Sequence, residues 1–184
     1  SSASTRNYRA WVGGVDYSDV ETEGEAGDAA RRKVAEHLDA SLYPEWHSYG
    51  VAMGYRYDAS PIVIPDGTPA TDDDPSVYEQ TARPGHRAPH AWQAEGASTI
   101  DLFGPSFVLL SFDEAAASEA LLRAAADRGV PVERVAIDDA AIAELYGRKL
   151  VLVRPDGHVA WRGDTLPTDA SALDSLVDRV RGAA

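Results

Sequence analysis

Apolar and polar residues recur in two rhythms along this chain of 184 residues, irregular before about residue 98 and regular after it. Residues 107–112 form an apolar run of strand length, and residues 99–103 just before it read the same way. Asp113 is placed to cap a helix through Arg128, with Gly129 and Pro131 marking its stop. Residues 132–137 predict the next strand, joined by a crossover expected to be right-handed if the two strands pair in parallel. Asp138 or Asp139 can then cap a short helix that ends at Tyr146 and is closed by Gly147. Residues 150–153 and 158–161 flank Arg154-Pro155-Asp156-Gly157, which has the turn chemistry of a hairpin. Thr168 can cap a last helix, on which Leu173, Leu176, Val177 and Val180 form one apolar stripe.

The earlier part of the chain is less periodic. Residues 1–25 read as an extended segment anchored by Tyr8, Trp11 and Tyr17. Asp28 is a candidate cap for a helix carrying Ala30, Val34, Leu38 and Leu42 on one face and ending before Pro44. Residues 46–64 are rich in Trp, Tyr, Val and Ile and broken by Gly50 and Gly54, a pattern that predicts two short strands or a strand with a bulge. Residues 65–75 have the make-up of a solvated loop, and residues 81–92 concentrate Pro, Arg and His. The later order, β-α-β-α-β-β-α, is that of a thioredoxin-like sandwich. The expected fold class is therefore α/β, with an irregular N-terminal extension containing one helix over residues 1–95 and a thioredoxin-like domain over 96–184.

With 44% apolar residues the chain can bury a core, but it contains no cysteine. That excludes a disulfide framework, thiolate zinc sites and iron–sulfur clusters. Thioredoxin-fold redox enzymes resemble one another in a thiol motif at the start of the first long helix and a cis-proline before the hairpin. Here those places hold Ser111-Phe112-Asp113-Glu114 and Lys149, so the scaffold lacks the thiolate on which its usual reaction depends. A net charge of −13 disfavours nucleic acid and anionic membrane as partners. The apolar runs fall short of a membrane span and the N-terminus lacks a secretory pattern, so the expectation is a cytoplasmic protein.

Several segments, in order, carry a more specific signal: Gly54-Tyr55-Arg56-Tyr57, Ser60-Pro61, Arg83-Pro84-Gly85-His86-Arg87-Ala88-Pro89-His90, residues 98–104, residues 107–110 and residues 153–162. Together they resemble the C-terminal region of class A FAD-dependent monooxygenases, the group of phenol hydroxylases and polyketide aromatic hydroxylases. The resemblance implies an N-terminal FAD domain, a middle domain over the aromatic substrate, and a thioredoxin-like C-terminal domain that packs against them or supports a homodimer. It further implies that NADPH reduces the flavin and that a flavin hydroperoxide oxygenates the substrate. This chain has no G-x-G-x-x-G turn to meet the FAD pyrophosphate. Gly27-Asp28-Ala29-Ala30 looks like the start of the family's second flavin motif but continues Arg31-Arg32-Lys33, so it reads as a helix cap. The chain alone is thus expected to bind no cofactor, to contain no catalytic residue and to be inactive, with catalysis on other domains.

Two groups of residues are candidate sites. Arg83, His86, Arg87 and His90 form a basic cluster stiffened by Pro84 and Pro89, suited to docking on the flavin domain through charge-assisted bonds. The plainer alternative is a surface linker whose arginines pair with Asp72, Asp73, Asp74 or with backbone carbonyls. A metal held by His86 and His90 is disfavoured, because Pro89 breaks the helix that would align them. Trp46, Tyr55, Arg56 and Tyr57 could line a pocket for a planar molecule, or fill a core or an interface. His37 and His158 read as packing or surface residues. Two other classes stay open, a free-standing redox-inactive binding module on this fold and a small enzyme with an unrecognised polar site.

Overall fold

A computed structural model describes residues 13–93, 96–113 and 118–183. The expected anchoring by Tyr8 and Trp11 and the capping turn after Asp113 fall outside those residues. The chain divides into two compact units, Ser1–Ala52 with Asp73–Tyr78, and Met53–Asp72 with Glu79–Ala184.

The smaller unit is built on helix α1, Glu25–Trp46. Gly24, rather than Asp28, occupies its cap position, and Asp28 lies in the first turn, where its carboxylate pairs with Arg31 at 2.5 Å. Arg31 also donates to the carbonyls of Val20 and Thr22, fastening the chain that leads into the helix. The backbone stays helical past Pro44, and the His47 N–H closes the end on the Tyr43 carbonyl. The predicted stripe of Ala30, Val34, Leu38 and Leu42 is only half-buried. In place of strands after Trp46 comes a short helix α2, Tyr49–Met53, whose last residue already belongs to the larger unit. Its geometry depends on Gly50, because a Cβ there would stand 1.8 Å from the Asp74 carbonyl oxygen.

In the larger unit, four strands form one mixed sheet in the order β2-β1-β3-β4. They are β1 Phe107–Ser111, β2 Val132–Ala136, β3 Leu150–Val153 and β4 Val159–Gly163. β1 pairs in parallel with β2 and antiparallel with β3, and β3 pairs antiparallel with β4. With helices α3 Glu119–Ala126, α4 Ala140–Tyr146 and α5 Ala170–Val180, this is the expected thioredoxin-like β-α-β-α-β-β-α arrangement. α3 and α5 cover one face, where Leu109 and Leu152 meet Leu121, Leu173, Leu176 and Val180. On the other face Val108, Leu110, Val151 and Val153 meet Ile142 and Tyr146 of α4, together with Ala82 and Ala88 from the loop before the sheet.

Local chemistry moved some boundaries. Residues 99–103 do not extend the sheet. Thr99–Leu102 is a 3-10 turn, because Ser98 accepts from the Ile100 N–H while Asp101 accepts from the Ser98 N–H, and this capping box overrides β-branched propensity. Asp169, one residue after Thr168, caps α5 by accepting from the Ser171 N–H. Asp139 caps α4, and Gly147 ends it in the left-handed region as expected.

Candidate functional site

The Arg83–His90 segment is a strap laid along the free edge of β4. The Gly85 N–H donates to the Val159 carbonyl, the Val159 N–H to the His86 carbonyl, and the Ala88 N–H to the Gly157 carbonyl, all within 2.8–2.9 Å. Gly85 makes the approach possible with φ +92°, close against the backbone of Tyr57, whose N–H donates to the Gly85 carbonyl. Pro84, Gly85, His86, Ala88 and Pro89 are buried, Arg83 and Arg87 are partly exposed, and His90 is exposed. The far end is pinned at Pro89, whose carbonyl accepts from both Tyr146 Oη at 2.7 Å and Thr99 Oγ1 at 2.9 Å.

Arg83 is spent inside this arrangement. It pairs with Asp58 and donates to the Thr68 carbonyl, and Asp58 also holds Arg56 at 2.5 Å. Asp58 is therefore a carboxylate that meets the strap arginine. Arg83 Nη1 lies 3.3 Å from His86 Nε2, and since a guanidinium can only donate, that nitrogen carries a lone pair. Burial first, then the charges of Arg56, Arg83 and Arg162 against the opposing Asp58, lower the His86 pKa from 6.5 to about 4. His86 is thus a neutral core residue. Arg87 touches Met53 Sδ at 3.3 Å, and His90 stands edge-on to Trp92 with ring centroids 4.9 Å apart.

Tyr55 and Tyr57 pack edge to face and close over His158, at 5.2 and 4.8 Å between centroids. His158 is fully buried, and Arg154 lies over the Tyr57 ring at 5.4 Å. Arg56 donates to Asp58 and to the Thr71 carbonyl. Trp46 belongs to the smaller unit, 75% exposed. Tyr43, Tyr49, Val51 and Val77 of that unit are exposed as well.

The residue pair that periodicity missed is Asp66 and Arg162. Residues 65–75 read as a solvated loop, yet Asp66 Oδ2 meets Arg162 Nε at 2.6 Å with both side chains nearly buried. Burial alone would raise the Asp66 pKa, but hydrogen bonds from Thr68 and Arg162 outweigh it and bring the value to about 2. Asp66-Gly67-Thr68 was recognisable as a turn; that β4 would present an arginine to it was not, since 96 residues separate the partners.

Where a redox motif would stand, Asp113 and Lys149 form an ion pair at 2.7 Å. A cavity of about 540 Å³ opens beside them, walled by Leu150, Leu166, Pro167 and Leu173. Its polar lining is Asp113, Lys149, Asp164, Thr165 and Thr168, and no thiol is among them. Among the described residues no group of three or more His, Asp or Glu is arranged to hold a metal ion.

Residues 81–184 match the family described as aromatic-ring hydroxylase, C-terminal. The chain belongs to this family. Its relatives include the FAD-dependent monooxygenase apdD of Emericella nidulans, 34% identical over 92% of this chain and 28% of that protein. Aklavinone 12-hydroxylase RdmE of Streptomyces purpurascens is 37% identical over 80% of this chain and 29% of that protein. In solved structures, RebC soaked with chromopyrrolic acid and holding 7-carboxy-K252c superposes with a TM-score of 0.84 at 45% identity, over 98% of this chain and 34% of RebC. This hydroxylase C-terminal chain thus spans about a third of the length of the relatives it matches, and the strap, the sheet and α5 all lie in the matched residues.

Proposed function

We propose that this chain serves a full-length FAD- and NADPH-dependent monooxygenase that oxygenates an aromatic or polyketide substrate in the cytoplasm. In that enzyme it acts as a structural and assembly domain, with catalysis on the preceding domains. The observation that carries the reading is the family match over residues 81–184 in a chain spanning only 28% of the FAD-dependent relative apdD. The interior supports it: Arg83, His86 and the Pro89 carbonyl of the strap are engaged with one another or with Thr68 and Tyr146 as struts. The smaller unit supports it too, since a half-buried helical stripe and exposed Trp46 and Tyr49 are surfaces suited to cover by further domains. Residues 96–184 form the thioredoxin-like domain proper on this reading, and residues 1–95 connect it to the rest. Docking involves the strap of Arg83, His86, Arg87 and His90, with Arg87 and His90 supplying its outer surface, and the domain also supports a homodimer.

The test compares two proteins. The full-length enzyme is expected to purify yellow and to oxidise NADPH when an aromatic substrate is added, whereas the 184-residue chain is expected to be colourless. FAD retained by the isolated chain at equal stoichiometry would overturn the assignment of catalysis to other domains.

A further inference from the structure

The chain holds a single sulfur atom, because it has one methionine and no cysteine. That residue, Met53, ends α2 with 36% of its surface exposed, and its Sδ accepts from Arg87 Nη1 at 3.3 Å. A thioether is a weak acceptor for a guanidinium. Arg56, Arg83, Arg154 and Arg162 of the same unit each meet a carboxylate. Arg87 has the sulfur instead, in a chain where Asp and Glu outnumber Lys and Arg by 30 to 17. Its backbone is held opposite His158 in the strap, so the guanidinium is presented to Met53 from a fixed base.

We propose that Met53 is a site of oxidation to the sulfoxide by hydrogen peroxide, and that Arg87 receives the new oxygen. The sulfur lone pair attacks one peroxide oxygen, an S–O bond forms and the O–O bond breaks. The proton on the transferred oxygen passes to the departing hydroxide, which leaves as water; the sulfur loses two electrons and the peroxide gains them. The sulfoxide oxygen is a strong, partly anionic acceptor, so a weak contact becomes a charge-assisted hydrogen bond. Oxidation of a buried methionine disrupts packing. At this exposed position, facing an arginine that meets no carboxylate among the described residues, it tightens the link between Met53 and the strap. The inference rests on this chain's own residues and not on the monooxygenase reading.

Peroxide treatment of the chain is expected to add one oxygen, located on Met53 by peptide mass spectrometry. Met53 left unmodified while other side chains oxidise would overturn the proposal. Melting temperatures of the oxidised and reduced forms are then compared in the parent and in Arg87→Ala. The change on oxidation should be more favourable by about 2–4 °C when Arg87 is present; equal changes would remove Arg87 from the account. Met53→Gln and Met53→Leu provide a second readout with Arg87 intact. The glutamine, which carries an amide oxygen, should melt above the leucine, and the reverse order would count against an oxygen-accepting role for Arg87.

Discussion

His86 shows how far a residue's role depends on its surroundings. In an unfolded chain it takes a proton near pH 6.5, but in the fold it resists until about pH 4, because it is buried beside Arg56, Arg83 and Arg162. Its folded pKa is lowered, so between those values the unfolded state binds more protons and stability falls as the pH drops. The loss attributable to His86 is on the order of 3 kcal/mol across that window and nothing further above pH 6.5. His86→Gln keeps an acceptor for Arg83 and should flatten this part of the profile. Denaturant titrations from pH 7 to pH 4 measure it, and an unchanged slope in the variant would mean that His86 is not the titrating group. As a residue in a basic cluster His86 was visible beforehand; that it would be turned inward was not, since the Pro84–Pro89 framing is equally compatible with an outward loop.

At the scale of elements, the strap behaves as an added edge strand that had no strand-like periodicity. Its backbone pairs with β4, while its side chains alternate less regularly than those of a half-buried strand, because Pro84, Gly85 and Pro89 interrupt it. Gly85→Ala imposes a left-handed φ on an L-residue and sets a Cβ 3.2 Å from the Tyr57 carbonyl carbon. A loss of about 2 kcal/mol or more is expected, measurable by urea unfolding. Loss below about 0.5 kcal/mol would show that the strap can shift away from Tyr57 without penalty. The helices and strands of the sandwich were legible because their periods were clean: Leu173, Leu176, Val177 and Val180 are all buried as the stripe of α5 implied. Residues 46–64 misled because aromatic and β-branched content suits a strand, whereas the close approach of Asp74 to Gly50 and a chain of turns shaped the segment instead.

On the scale of the whole molecule, the two units differ in how completely they bury apolar surface. The larger unit covers both faces of its sheet. In the smaller one Tyr43, Trp46, Tyr49, Val51 and Val77 remain at 52–75% exposure. On the proposed function, the rest of the enzyme covers this surface. Acrylamide should therefore quench the fluorescence that Trp46→Phe removes strongly in the 184-residue chain and weakly in the full-length protein. Equal quenching in both would show that Trp46 stays open in the assembled enzyme.

Hydrophobic period, turn chemistry and the lack of cysteine were enough to establish the sandwich, its helix and strand order, and its inability to perform thiol redox chemistry, because each is a property of neighbouring residues or of composition. The ordered motifs pointed to the hydroxylase family for the same reason. The partners of Arg83, Arg162 and Tyr146 and the inward turn of His86 depend on residues far apart in the chain. Those contacts acquire meaning only when packing removes water and leaves protein groups as the neighbours of a charge or a carbonyl, so they emerged with the folded chain.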